Sequence, residues 1–243
     1  LFRSFLERNG VESRYVRRYV NGKSALALAF LDREKRAEYS FYKDYPEERF
    51  PDNLPEIFPG DIILFGSFYS LTPEIRKPLT AFLHQERKKG AFLICDPNFR
   101  KPHREQLESL RGAILENISL SSLVKGSDED FEMIFGAHDF AGALSAVAMA
   151  GCPDLIYARN RDGAEAMLHG KKYSAAAPFL EPVSTIGAGD AFSAGMIFAL
   201  MNQGVQMPEN DLGLLTCGIV FATAVCMSKD NYIPEKFTPE YYY

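Results

Sequence analysis

The chain has 243 residues, 47% of them hydrophobic, and a net charge of −5 from 27 lysines and arginines against 32 aspartates and glutamates. This length and balance are typical of one soluble globular domain with a sizeable core, and they exclude a disordered or fibrous chain. Mild acidity attracts neither nucleic acid nor an anionic membrane surface, so we expect neither as a partner.

The first eight residues predict an amphipathic helix that ends at Asn9-Gly10. Because the sequence begins without Met and in mid-helix, we expect an N-terminal portion to precede it. Two strands are predicted next, Ser24 to Leu31 and Arg36 to Tyr42, with a charged hairpin turn at 32–35 between them. No apolar run reaches the roughly 20 residues that span a bilayer.

From residue 61 onward, short apolar strands alternate with amphipathic helices. Strands are predicted at 62–65, 92–95, 113–115, 120–124 and 155–157, and helices at 73–89, 103–112, 128–135, 140–150, 190–202 and 212–227. This alternation predicts an α/β fold with a parallel sheet covered on both faces. Ligands of such folds lie at the carboxyl ends of the strands.

Cysteine usage indicates neither a zinc site nor a disulfide framework, because no Cys-x-x-Cys pair occurs among Cys95, Cys152, Cys217 and Cys226. A reducing compartment, the cytoplasm, is therefore expected.

The most informative stretch is 184–195, a turn of small residues that leads directly into a helix. The backbone amides of 187–190 can converge on an anion, and the helix dipole adds to their attraction. Asp190 would repel that anion unless it acts as a general base during phosphoryl transfer. The alternative is that Asp190 only caps the helix. A dinucleotide fingerprint and a P-loop are both excluded, the first by Phe192 and the second because no Gly-Lys-Ser/Thr occurs.

The segment Ser184 to Asp190 resembles the Asp-Thr-x-Gly-Ala-Gly-Asp signature of ribokinase-like (PfkB) carbohydrate kinases. Upstream elements match in the family's order, and Asp96-Pro97-Asn98-Phe99-Arg100 resembles the fructokinase-like branch. The resemblance implies a three-layer ribokinase-like α/β fold with a mostly parallel central sheet. It implies one domain over 1–243, N-terminally incomplete, with a small β lid at about 15–42.

The resemblance also implies ATP-dependent phosphoryl transfer, with Mg²⁺, to a hydroxyl of a small sugar such as fructose. Ribose, another ketose or a nucleoside are alternative acceptors. A catalytically weakened sensor that binds sugar or nucleotide is the alternative from another class. The lid suggests a homodimer.

Site residues follow from the resemblance position by position. Asp190 is expected to be the base, and Gly187, Ala188 and Gly189 are expected to form the anion hole. Asn98 and Arg100 are expected to bind the sugar, although Arg100 in a structural ion pair is an alternative. Nucleotide contacts are expected from Gly187 and Gly189 and from Lys125, Ser127, Arg159 and Gly163.

Three departures from the family pattern bear on these expectations. Ser127 and Asp130 replace the Asn and Glu of the family's Lys-x-Asn-x-x-Glu element. By resemblance Asp130 is expected to act on magnesium through water, but Ser127 and Asp130 also form a capping-box pattern. The family's Thr-x-Gly-x-x-Gly turn appears as Ala158 to Gly163 and keeps only the last glycine. The resemblance implies K⁺ as a further cofactor, but Ser184 replaces the signature's first Asp, which the family associates with a monovalent cation, and this puts K⁺ activation in doubt.

Overall fold

The computed structural model describes residues 2–19, 22–31, 37–42, 44, 46, 48–203, 212–230, 232–234 and 237. Within these ranges there are seven α-helices and eight β-strands. The helices are α1 (Phe2–Arg8), α2 (Pro73–Lys89), α3 (Leu107–Leu120), α4 (Asp128–Phe135), α5 (Phe140–Met149), α6 (Ala188–Gln203) and α7 (Leu212–Cys226). The strands are β1 (Leu26–Leu31), β2 (Ala37–Tyr42), β3 (Ile62–Gly66), β4 (Phe92–Asp96), β5 (Leu123–Ser127), β6 (Leu155–Ala158), β7 (Ala164–Leu168) and β8 (Lys171–Ala175).

The described strands form two separate sheets. The larger has the order β3-β4-β5-β6-β7-β8, with β3 to β6 parallel and the last two strands antiparallel. The smaller is the antiparallel pair β1-β2, in which Leu26 lies opposite Tyr42. The predicted mostly parallel sheet and the predicted pairing of the first two strands are both confirmed.

Helices cover both faces of the larger sheet. Successive side chains of a strand point to opposite faces, so neighbouring residues pack against different helices. Cys95 and Val124 pack in one buried cluster with residues of α3, α4 and α5. Their neighbours Ile94 and Leu123 pack, together with Ile156, in a second cluster with α6 and α7. The central strands are thus buried on both faces, which explains their continuous runs of apolar residues. The predicted three-layer architecture is confirmed.

Some predicted elements were wrong. The run 113–115, predicted as a strand, lies inside α3, where Ile114 and Ile118 are buried one helical turn apart. The helix predicted at 103–112 begins instead as a 3-10 helix, Lys101–Gln106, and becomes α-helical only at Leu107. The hairpin β7-β8 was not predicted. No helix in the described part of the chain is long and apolar enough to cross a membrane.

The carboxyl ends of the parallel strands share one edge of the sheet, and there the backbones approach closely. Gly66 ends β3 opposite Asp96, which ends β4. A Cβ at Gly66 would lie 1.9 Å from the carbonyl oxygen of Asp96, and the next amide, that of Ser67, donates to this oxygen at 2.9 Å. This tight joint fixes the position of Asp96 at the edge where ligands are expected.

Candidate active site

The small-residue turn before α6 has the geometry of an anion hole. Gly187 has a φ of 86°, in the left-handed region that favours glycine, and the helix begins at the next residue. The amide of Ala188 donates to the carbonyl of Thr185 at 3.2 Å. Among the described residues, the amides of Gly187, Gly189 and Asp190 have no protein acceptor. Three free amides, rather than the expected four, are therefore available to an anion.

Asp190 is the third residue of α6, and its side chain is exposed. Within the described ranges, its carboxylate makes no hydrogen bond or ion pair with the protein. The alternative that Asp190 only caps the helix is therefore wrong, because its carboxylate accepts a hydrogen bond from no helix amide. A carboxylate in the first turn, beside free amides, can take a proton from a hydroxyl held there.

A polar cluster of Lys125, Asp96 and Ser193 lies next to the turn. Lys125 of β5 is 6% exposed at its side chain, and its Nζ lies 2.7 Å from Oδ2 of Asp96. Both Lys125 Nζ and Ser193 Oγ donate to the carbonyl oxygen of Gly189, at 3.3 Å and 3.1 Å. Neither Asp96 nor Ser193 was predicted as a site residue. The available signal for Asp96 was a carboxylate ending a buried strand, with a lysine on the next one.

The segment after β4 brings Asn98 and Arg100 together at the same edge of the sheet. Nε of Arg100 donates to Oδ1 of Asn98 at 2.7 Å, and the Arg100 side chain is exposed. Asn98 has a φ of 42°, a conformation that asparagine tolerates better than most residues. Between them, the amide of buried Phe99 donates to Oδ1 of Asp130 at 2.7 Å. The loop is therefore anchored to α4.

Ser127 and Asp130 form the capping box that their spacing predicted. Oδ2 of Asp130 accepts the Ser127 amide at 2.8 Å and the Ser127 hydroxyl at 2.7 Å, while Oδ1 accepts Phe99. Burial raises the pKa of this carboxyl above its usual range. A buried carboxylate with both oxygens occupied does not fit direct binding of Mg²⁺, and the through-water role stays a prediction. No group of three or more metal-binding side chains occurs in the ranges described above.

The segment after β6 forms a tight turn, although it lacks the first glycine of the family's Thr-x-Gly-x-x-Gly pattern. Asn160 has a φ of 50°, and its Nδ2 lies 3.3 Å from Oδ1 of Asp128 at the start of α4. Gly163 has a φ of 89°, and a Cβ there would lie 2.1 Å from the carbonyl oxygen of Ala175. The remaining glycine is thus required by a close backbone contact in the sheet.

Arg159 lies in an ion-pair group of the same turn. Its Nε is 3.6 Å from Glu165, whose other carboxylate oxygen lies 2.8 Å from Nζ of Lys172. The Arg159 side chain is about one third exposed, and it is paired to β7. Its predicted contact with nucleotide phosphates stays a prediction.

Comparison with known proteins identifies the family. The model of the pfkB family of carbohydrate kinases matches residues 1–229. The fructokinase of Klebsiella pneumoniae is 26% identical over 232 residues, which cover 91% of this chain and 75% of that protein. The aminoimidazole riboside kinase of Salmonella typhimurium is 24% identical over 200 residues, which cover 82% of this chain and 63% of that protein.

Solved structures agree in fold. The fructokinase of Vibrio cholerae O395, with fructose, ADP and calcium bound, has a TM-score of 0.85 at 18% identity, covering 98% of this chain and 79% of that one. The aminoimidazole riboside kinase of Salmonella enterica has a TM-score of 0.81 at 20% identity, covering 96% and 78%. At these identities the likeness shows the ribokinase-like fold. Because the family model matches nearly the whole sequence, the chain belongs to the pfkB family of carbohydrate kinases.

Proposed function

We propose that this chain transfers the γ-phosphoryl group of ATP to a hydroxyl of a small sugar, with fructose as the first candidate. One observation carries the proposal: an exposed, unpaired carboxylate at Asp190 lies in the same turn as three free amides. Fructokinase among the relatives, and the Asp-Pro-Asn-x-Arg segment at 96–100, support fructose as the acceptor.

The reaction requires one proton transfer and one displacement. Asp190 takes the proton of the acceptor hydroxyl as its oxygen bonds to the γ-phosphorus, while the bond from that phosphorus to the β,γ-bridging oxygen breaks and ADP leaves. The amides of Gly187, Gly189 and Asp190 then stabilise negative charge on the transferring group. A divalent cation, when bound with the nucleotide, supplies further positive charge at its phosphates. Asp190 afterwards releases its proton to water.

The two substrates are assigned to different parts of the sheet edge. The Asn98–Arg100 pair offers a fork of donors to sugar oxygens and supports the acceptor side. Ser127 is the N-cap of α4, and the turn that holds Arg159 and Gly163 contacts that helix end through Asn160. We assign these three residues to the nucleotide side, where an arginine favours phosphate.

The proposal is tested by following ADP release with Mg-ATP across fructose, ribose, other ketoses and ribosides. The expected result is turnover that depends on fructose and exceeds that with the other sugars. Turnover with a riboside instead would favour the alternative that the aminoimidazole riboside kinase relative suggests. ATP and sugar binding without any turnover would contradict the kinase and favour the sensor.

The hairpin β1-β2 supports a lid that pairs between two copies of the chain. Leu26, Leu28 and Phe30 alternate along β1 and so share one face, and Tyr42 lies opposite Leu26. All four side chains are exposed, Phe30 and Tyr42 at 61%. Such an apolar face is typical of an interaction surface, and we propose that a second copy covers it.

We therefore expect a homodimer that Phe30→Glu converts to a monomer, because pairing would bury an uncompensated charge. Light scattering after gel filtration measures the mass directly. Met149→Glu is the matched control, since Met149 is 82% exposed on α5, and this variant should stay dimeric. A monomeric wild type, or a dimer in Phe30→Glu, would contradict the pairing.

Monovalent cations should not activate the enzyme. Ser184 offers a neutral hydroxyl, which already accepts the amide of Ile186 at 3.2 Å, where the family signature has a carboxylate. Without that negative charge, the site attracts K⁺ weakly. We expect the same turnover in potassium and sodium chloride at equal ionic strength. Ser184→Asp restores the carboxylate and is the comparison variant; strong potassium activation of the wild type would refute the expectation.

A further inference from the structure

The carbonyl oxygen of Gly189 accepts hydrogen bonds from two side chains. It accepts from Lys125 Nζ at 3.3 Å and from Ser193 Oγ at 3.1 Å. This carbonyl and the amide N–H of Asp190 belong to one planar peptide unit, and no described peptide bond is cis. Donors that fix the oxygen on the buried side therefore direct the N–H to the opposite, open side of the turn.

Lys125 directs two of its three ammonium protons to protein acceptors. An ammonium group has three protons. Nζ meets Oδ2 of Asp96 at 2.7 Å and the oxygen of Gly189, and it lies 5.9 Å from the centre of the Phe192 ring. Ser193 Oγ also lies 3.4 Å from the same oxygen of Asp96. These contacts all lie within the protein, and Lys125 is almost fully buried.

We infer that Lys125, supported by Asp96 and Ser193, is a positioning residue that orients and polarises the Gly189–Asp190 peptide for phosphoryl transfer. A cation at the carbonyl oxygen strengthens the N–H of the same peptide as a donor. The inference rests on the proposed kinase function, and it replaces the nucleotide contact expected for Lys125. Because charge on the transferring group grows toward the transition state, the effect falls on kcat rather than on KM.

Two variants and a matched control test the inference. The variants are Lys125→Met and Ser193→Ala, and the control is Ser121→Ala. Ser193 and Ser121 are both buried, and each donates its hydroxyl to the carbonyl four residues earlier, Ser193 to Gly189 and Ser121 to Asn117. Only the Gly189 carbonyl lies in the signature turn. We expect Lys125→Met to lower kcat about 10- to 100-fold and Ser193→Ala about 3- to 10-fold, with KM values within about twofold. Ser121→Ala should keep the wild-type kcat.

Conservative replacement separates positioning from packing. Lys125→Arg keeps the positive charge and should retain more activity per folded molecule than Lys125→Met. An unchanged kcat in Lys125→Met would overturn the inference, as would a higher KM for ATP with kcat preserved, which indicates a direct nucleotide contact. Removing one partner of a buried ion pair can prevent folding. If Lys125→Met does not fold, the comparison of Ser193→Ala with Ser121→Ala decides.

Binding of ADP with aluminium fluoride, a mimic of the transferring phosphoryl group, gives a readout without sugar turnover. We expect Lys125→Met and Ser193→Ala to bind this complex about tenfold more weakly than wild type, and ADP alone equally well. A wild type that binds the complex but phosphorylates no sugar contradicts the proposed function alone, and the variants still test the inference. Equal binding of the complex by all variants overturns the inference alone. A wild type that binds no ADP overturns both.

Discussion

Asp190→Asn should lower kcat about a thousandfold, the usual contribution of a general base. Asparagine has nearly the same shape as aspartate but cannot take the proton of the acceptor hydroxyl. Binding of ADP should persist and can tighten, because the carboxylate lies beside the amides that attract phosphate. Turnover by coupled assay and ADP affinity by calorimetry measure the two effects separately.

Asp139→Asn is the matched control for this change. Asp139 also lies at a helix N-terminus, where it caps α5 by accepting the amide of Gly142 at 2.8 Å. Asparagine caps helices about as well as aspartate, so this variant should keep both stability and turnover. Full activity in Asp190→Asn would remove it as the base, and an equal loss in Asp139→Asn would point to a general electrostatic effect.

Local signals in the sequence predicted most elements well. Helix α2 was predicted at 73–89 and occupies the same residues, because Pro73 suits a first turn and Gly90, with a φ of 97°, ends the helix. The anion-hole turn was predictable for a similar reason, since its residues, Gly187 to Asp190, follow one another in the sequence. Such features depend on neighbouring residues only.

Features that depend on distant residues were not predictable. The hairpin β7-β8 was missed because β7 buries mostly small side chains, Ala164 and Ala166, whose alternation gives a weak signal. The lateral pairing of β4 with β5 places the ammonium of Lys125 against Asp96, a partner that was not predicted. Its contact with Gly189 spans 64 residues of sequence. No local pattern indicates such a partner.

Gly66→Ala should be the most destabilising single substitution that we predict. The new Cβ would lie 1.9 Å from the carbonyl oxygen of Asp96, at a φ of 145° that side chains rarely adopt. Backbone atoms of the neighbouring strands β3 and β4 cannot move apart without breaking the hydrogen bond from the Ser67 amide to the Asp96 carbonyl. We expect the free energy of unfolding to fall by more than about 4 kcal/mol, or no folded protein. Urea unfolding followed by circular dichroism measures this loss in a chain without tryptophan.

Gly136→Ala separates steric overlap from the backbone strain of a positive φ. Gly136 has a φ of 67°, yet a Cβ there would meet nothing within 4 Å. Left-handed strain alone should then lower the free energy of unfolding by about 1–2 kcal/mol. A similar loss in both variants would mean that the strand ends can separate at little cost. The position of Asp96, and with it the support that Lys125 gives to the anion hole, would then not depend on the joint at Gly66.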